Sequence, residues 1–229
     1  IMKYIIIGLG IFGSSLAEKL TQAGHEVIGV DKVMSKVELL KDKIAHTICL
    51  DASDAQAISN LPLKDTDVVV IAIGEDAGAN IMATAVMKQY KAKRIISRAI
   101  TPLHQTVLEA MGITEIVHPE EETADRWAKK LNVKGIIDSF ELTDDHYIVE
   151  AKLPEPFLDK PLEEIDFPKK YNVIVLNVVE EQDTKDNSGI TKKIRKMKAL
   201  ANSETVIQAN DLVILYGRMN DIKRVLQKE

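Results

Sequence analysis

Three glycines near the start of the chain, Gly8, Gly10 and Gly13, have a spacing that suits phosphate binding. In this spacing the first glycine permits a tight turn, the second lets a phosphate approach the backbone, and the third lets a helix pack closely on a sheet. The N–H groups and positive dipole end of that helix attract phosphate without a lysine. We therefore predict a phosphate site formed by Gly8, Leu9, Gly10, Ile11, Phe12 and Gly13.

Asp31 follows the glycines by about twenty residues, where nucleotide-binding folds place an acid. A carboxylate there accepts hydrogen bonds from the ribose hydroxyls and repels a 2′-phosphate, so we expect NADP to be disfavoured. Lys32, directly after it, is a further candidate contact. The remaining candidates lie at later strand ends: Asp51, Ala52 and Ser53 near the adenine, and Ile73 and Gly74 near ribose or phosphate. For Asp51, a turn or helix-capping role is an equally good interpretation.

Short apolar runs alternate with helical patterns around these residues, and these elements must position the site. Lys3–Ile7 predicts a strand, and Phe12, Leu16 and Leu20 recur every fourth residue, as in a helix packed on a sheet. Val68–Ile73 is typical of a strand buried on both faces. The next helix is predicted from an apolar stripe at Ile81, Met82, Ala85, Val86 and Tyr90. Strands that alternate with helices predict an α/β fold with a doubly wound parallel sheet.

The pattern changes near Gly135, so we predict two domains. Residues 1–134 form the nucleotide-binding domain, and residues 135–229 form a small α+β C-terminal lobe. Strand-like runs dominate the lobe, with one clear helix at Asn220–Leu226. The polar segment Glu180–Lys193, which contains Asn187-Ser188-Gly189, is predicted to be a solvated loop.

Composition narrows the class of protein. The 229 residues carry a formal charge of −5 with only short basic clusters, so we expect no nucleic-acid partner. No apolar run approaches the roughly twenty residues that span a bilayer, and Lys3 leads into a strand-like run without a cleavage site, so we expect no signal peptide. A single cysteine, Cys49, fits a reducing cytoplasm and is expected to be a small core residue.

Catalytic residues are harder to find than binding residues. A dehydrogenase needs a proton donor or acceptor beside the nicotinamide, usually a histidine, lysine or tyrosine with an orienting partner. The five histidines are scattered, and none pairs with a carboxylate at a recognisable catalytic spacing. We therefore expect a protein that senses a nucleotide and is not an enzyme. An NAD-dependent oxidoreductase of unknown substrate is the alternative, and a scaffold that has lost ligand binding is a third possibility.

The opening segment Tyr4–Ala17 resembles RCK domains, which regulate potassium conductance and include the TrkA family of Trk/Ktr potassium-uptake subunits. The block Ile116–Glu120 adds specificity, because ordinary dehydrogenases lack it. The other matching segments are Gly24–Val27, Val68–Gly74, Val107–Gly112 and, in the C-terminal lobe, Asp211–Gly217. The resemblance therefore covers nearly the whole chain.

This resemblance implies a Rossmann-like RCK N-domain followed by a TrkA-C-like lobe. It implies a cytoplasmic regulatory subunit that gates a membrane potassium channel or transporter of the Trk/Ktr type through ligand-dependent hinge motion. Such subunits bind to their membrane partner at the inner face of the cell membrane. They assemble as dimers and octameric rings. The ligand would be an adenine nucleotide, either ADP, ATP or NAD(H).

The resemblance also implies roles for single residues. By position, Arg98 would lie near the phosphates, and Glu120 would help to bind a cation between neighbouring subunits. For Glu120, an acid favoured by the helix dipole is the alternative interpretation. Ile11 stands where ATP-responsive members often have arginine, which leaves ADP or NAD(H) more open. Pro168 stands where cyclic di-AMP binders tend to have arginine, so sensing of that ligand is only weakly supported.

Overall fold

In a computed structural model, the described residues are 1–185 and 191–228. The chain divides into two compact units, Ile1–Glu120 and Glu121–Glu229. This division falls 14 residues before the predicted domain boundary at 134/135, which stays a prediction. Among the described residues, no helix combines the length and the apolar character that crossing a bilayer requires.

The first unit contains a six-stranded sheet in the order β3-β2-β1-β4-β5-β6. Its strands are β1 (Lys3–Ile7), β2 (Glu26–Asp31), β3 (His46–Cys49), β4 (Val68–Ile71), β5 (Ile95–Arg98) and β6 (Glu115–Val117). All neighbouring strands are parallel. The strand order reverses between β1 and β4, and in such sheets a ligand crevice forms at the carboxyl ends of those strands. The predicted doubly wound fold is confirmed.

Helices follow these strands in the chain. They are α1 (Ile11–Gln22), α2 (Met34–Glu38), α3 (Ala55–Ile58), α4 (Ala77–Gln89), α5 (Pro102–Ala110) and α6 (Pro119–Asn132), the last of which continues past Glu120. The helices from α1 to α5 pack on both faces of the sheet, and α6 begins at the end of the unit. Ile5 and Ile7 of β1 pack in one core with residues of α3 and α4, whereas Ile6 packs in the other core with α1. Because both faces are buried, the inner parts of the central strands, Ile5–Ile7 of β1 and Val68–Ile71 of β4, are apolar at every position and not only at alternate ones.

The second unit is an α+β lobe, as predicted. Its described strands form an antiparallel sheet in the order β10-β9-β11-β8-β7. The strands are β7 (Ile136–Glu141), β8 (His146–Ala151), β9 (Val173–Lys185), β10 (Thr191–Met197) and β11 (Asp211–Arg218). The helices are a 3₁₀ turn (Glu155–Phe157), α7 (Leu162–Ile165), α8 (Phe167–Tyr171) and α9 (Met219–Leu226). Of these, only α9 has a clear sequence signature, because the others are a turn or two long.

Two predictions are wrong. The polar segment after residue 180 is not a loop in its described parts: β9 continues to Lys185 and pairs with β10. Charges of opposite sign stabilise this pairing across the strands, with Lys193 Nζ 2.6 Å from Glu181 Oε2. The Asn187-Ser188-Gly189 part of the prediction lies outside the described residues. Cys49 is exposed and not in the core, because it is the last residue of the edge strand β3.

A buried polar cluster joins the carboxyl ends of β4 and β5. Asn80 of α4 is completely buried, and its Nδ2 donates to the carbonyl oxygens of Ile73 and Arg98, both at 3.0 Å. Its Oδ1 accepts a hydrogen bond from Ser97 Oγ at 3.0 Å, with Thr84 Oγ1 at 3.5 Å. One buried amide therefore satisfies groups at the carboxyl ends of two neighbouring strands.

We expect Asn80→Leu to lower the free energy of unfolding by about 2–4 kcal/mol, because it removes the hydrogen bonds of Asn80 to the buried Ser97 hydroxyl and to two partly buried carbonyl oxygens. Thr84→Val is the matched control, since it removes a hydroxyl with longer contacts, and should cost about 1 kcal/mol or less. Urea unfolding followed by circular dichroism measures both. Equal losses in the two variants would contradict the prediction.

Candidate nucleotide-binding site

The turn between β1 and α1 depends on glycine at two positions. Gly8 has a φ of +96°, and a Cβ there would lie 2.8 Å from the backbone nitrogen of Ile73. A Cβ on Gly13 would lie 1.9 Å from the carbonyl oxygen of Gly8. The start of α1 is therefore in direct contact with the end of β1, and any side chain at residue 13 would force the two apart.

Gly10 differs from these two glycines because its surroundings are open. It is the N-cap residue of α1, its φ is −73°, and a Cβ there would meet no atom within 4 Å. Having no side chain, it cannot accept hydrogen bonds from the first turn of the helix. The space in front of it is what a phosphate needs to reach the N–H groups at the start of α1.

The other residues of the turn differ in what they expose. Leu9 is buried in the core, so it offers the crevice only its backbone. Phe12 is half-buried against the same core. Ile11 is 94% exposed beside Gly10, so this apolar side chain faces outward at the edge of the crevice.

Asp31, the last residue of β2, connects this strand to the glycine turn by a hydrogen bond. Its side chain is buried, with 8% of the residue exposed. Oδ2 accepts a hydrogen bond from Leu9 N at 2.7 Å, and Oδ1 accepts one from Val33 N at 2.8 Å. The sequence predicts only the ribose contact and misses this structural role. Each carboxylate oxygen accepts more than one hydrogen bond, so ribose hydroxyls and these amides are compatible partners.

The segment after β3 forms a turn of its own. Asp51 Oδ1 accepts hydrogen bonds from Ser53 N at 2.9 Å and from Ser53 Oγ at 2.6 Å. These hydrogen bonds, together with the charge of Lys32, lower the pKa of Asp51 below its usual value, so it is ionised at neutral pH. Ala52 is buried in the core, whereas Lys32 is exposed. The geometry is that of the turn interpretation, and contact with the adenine stays a prediction.

The ends of β4 and β5 complete the crevice. The backbone of Ile73 touches Gly8, and the guanidinium of Arg98 lies against Gly74, where a Cβ would fall 2.1 Å from Nη1. Nη2 of Arg98 donates to the carboxylate of Glu120, while Nε is buried and has no partner among the described residues. Asn80, which no sequence pattern singles out, fixes Ile73 and Arg98 relative to each other.

Glu120 does not form a cation site within one chain. Its carboxylate pairs with Arg98, and the described residues contain no group of three or more His, Cys, Asp or Glu side chains arranged to hold a metal ion. A single carboxylate already paired with a guanidinium is a poor cation ligand. The expected cation would need ligands from a second copy of the chain, and it stays a prediction.

Two family models match the chain: the TrkA-N domain over residues 4–119 and the TrkA-C domain over residues 147–228. The Ktr system potassium uptake protein C of Bacillus subtilis (strain 168) is 28% identical over 222 residues, which cover 97% of this chain and 95% of that protein.

Many solved structures resemble the chain, and two of them illustrate its fold. The GsuK RCK domain matches with a TM-score of 0.65 at 15% identity, covering 99% of this chain and 48% of the other, which shows a shared fold. The NAD(P)-binding domain of an exopolyphosphatase-related protein from Archaeoglobus fulgidus matches with a TM-score of 0.52 at 26% identity, covering 58% of this chain and 98% of the other.

Gly10, with open surroundings, and Gly13, with crowded ones, allow a matched test of the phosphate site. Gly10→Ala should keep the melting temperature within about 2 °C but weaken ADP binding roughly tenfold or more, because the new methyl group occupies open space where a phosphate approaches. Gly13→Ala should lose both stability and binding, because its methyl group collides with the Gly8 carbonyl. Differential scanning calorimetry measures the melting temperature, and isothermal titration calorimetry measures the ADP affinity. Wild-type ADP affinity in a folded Gly10→Ala variant would contradict this.

Proposed function

The chain belongs to the TrkA-N domain family, and on this premise we propose that it is a nucleotide-sensing regulatory subunit of a potassium-uptake system. The observation that carries the proposal is the open space at Gly10, at the start of α1 and close to the buried carboxylate of Asp31. The near full-length similarity to a Ktr system potassium uptake protein supports the physiological role.

An adenine nucleotide with a diphosphate group fits this crevice best. The N–H groups of residues 11–13 and the guanidinium of Arg98 supply donors for the phosphates. Asp31 accepts hydrogen bonds from the ribose hydroxyls, and the backbone at Ile73–Gly74 closes the other side. Asp51 and Ser53, which follow the end of β3, would contact the adenine. Because Ile11 supplies no charge for a γ-phosphate, ADP and NAD(H) are favoured over ATP.

The partner in our proposal is a membrane subunit of the Trk/Ktr type, which provides the path for potassium. The chain would bind this subunit from the cytoplasmic side, and it would assemble as dimers and as an octameric ring. Nucleotide binding acts on the partner only if the two conformations of the assembly differ in nucleotide affinity. A ratio of about 10⁴ between those affinities would move the balance from almost fully closed to almost fully open.

An NAD-dependent oxidoreductase is the alternative, favoured by the similarity to an NAD(P)-binding domain. Such an enzyme needs a proton-transfer group that reaches the substrate. His104 does not meet this requirement, because it is buried and its Nδ1 accepts a hydrogen bond from Ile100 N at 3.3 Å. Burial also lowers the pKa of His104. Steady NADH turnover with a simple carbonyl compound would favour the enzyme.

Binding of ADP, ATP, AMP, NADH and NADPH to the full chain tests the proposal, with ring size measured for each by mass photometry. We expect ADP and NADH to bind and to change the assembly or its shape. NADPH should bind at least about tenfold more weakly than NADH, because its 2′-phosphate approaches the Asp31 carboxylate. Failure of every nucleotide to bind would refute the proposal.

A further inference from the structure

Arg98 occupies an unusual position for a basic side chain at a ligand crevice. Only 15% of its side chain is exposed, and its guanidinium lies against Gly74. Nε is buried without a partner among the described residues, although a guanidinium carries five N–H donors. Its Nη2 donates to the carboxylate of Glu120. Arg98 is therefore held in place by packing, while its hydrogen-bonding capacity is only partly used.

Glu120 is the more exposed member of this ion pair. It lies in the first turn of α6, and 71% of its side chain is exposed. An ion pair with one exposed partner contributes little stability, because water competes for the carboxylate. A phosphate group offers a guanidinium two parallel, charge-assisted hydrogen bonds, which are stronger than a single contact with a solvated carboxylate. A phosphate that reaches Arg98 can therefore replace Glu120.

A short chain of contacts connects this ion pair to the glycine turn. Gly8 touches the backbone of Ile73, and Gly74, the next residue, touches the guanidinium of Arg98. Asn80, which is itself completely buried, donates to the carbonyl oxygens of Ile73 and Arg98, so these hydrogen bonds fix the spacing of the two residues. The Arg98–Glu120 pair thus lies beside the place where the proposed function puts the phosphates.

We propose that Glu120 competes with the nucleotide phosphates for Arg98 and thereby lowers the nucleotide affinity of the resting protein. Without nucleotide, Glu120 neutralises Arg98; with nucleotide, the phosphates take its place and Glu120 turns to solvent. This inference rests on the proposed function and assigns Glu120 a role opposite in sign to that of a cation ligand. A competitor weakens nucleotide binding, whereas a cation that bridges Glu120 and a phosphate strengthens it.

The test measures ADP and adenosine affinities of the full chain by calorimetry, with EDTA present to remove divalent cations. Glu120→Gln should bind ADP about three- to tenfold more tightly than wild type and adenosine equally well, because adenosine has no phosphate to meet Arg98. Arg98→Gln should weaken ADP binding. The double variant should match Arg98→Gln, because Glu120 acts only through that guanidinium.

Glu115→Gln is the matched control for the change of charge. Glu115 pairs with Arg94, whose Nε is 2.7 Å from Glu115 Oε1, at the amino ends of β5 and β6 and so at the opposite edge of the sheet. We expect ADP affinity to stay at the wild-type value in this variant. Circular dichroism shows whether each variant is folded.

The possible results separate the inference from the proposed function. ADP binding by wild type that is unchanged or weakened by Glu120→Gln would overturn the inference and leave the proposed function intact. A gain that persists in the double variant, or that Glu115→Gln reproduces, would also overturn it. Absence of ADP binding by both wild type and Glu120→Gln would overturn the proposed function together with this inference.

Discussion

The close contact between the start of α1 and the end of β1 is the constraint on which the rest of the site depends. At Gly13 and Gly8 the helix and the strand approach to a distance that leaves no room for a side chain. This approach directs the first N–H groups of α1 towards the open space at Gly10, and the hydrogen bond from Leu9 N to Asp31 ties the turn to the next strand. The two cores on either side of the sheet hold both elements rigid.

A binding site made largely of backbone suits a sensor better than a catalyst. The N–H groups of a helix start and one buried carboxylate bind and orient a nucleotide, but they transfer no proton and attack no bond. The charged side chain beside them, Arg98, already has a partner in Glu120. Nucleotide binding can therefore break the contact between Arg98 and Glu120. A regulatory protein requires such a difference in contacts between its free and bound states.

The fold of the first unit could be predicted from sequence because its central strands β1 and β4 contain unbroken apolar runs and its glycines have specific steric roles. Detail within an element was harder to predict. The apolar stripe that predicts α4 consists of Ile81, Met82, Ala85, Val86 and Tyr90. The residues of α4 that are buried in the structure are instead Asn80, Ala83, Thr84, Val86 and Met87. The polar residues Asn80 and Thr84 lie on this buried face, so it does not appear as an apolar stripe in the sequence. These two side chains make hydrogen bonds to residues at the ends of β4 and β5. Asp31 similarly has a structural role that spacing alone does not show, because the partner amide of Leu9 is distant in sequence.

Hydrogen exchange at the glycine turn tests the central claim most directly. The N–H groups of Ile11, Phe12 and Gly13 lie in the first turn of α1, where no carbonyl of the helix accepts their hydrogen bonds, so they should exchange rapidly in the free protein. Saturation with ADP should slow exchange in peptides that cover these residues, and leave exchange in β7 and β8 unchanged. Bound ADP with unaltered exchange at the turn would contradict the account, because the nucleotide would then be held by other groups.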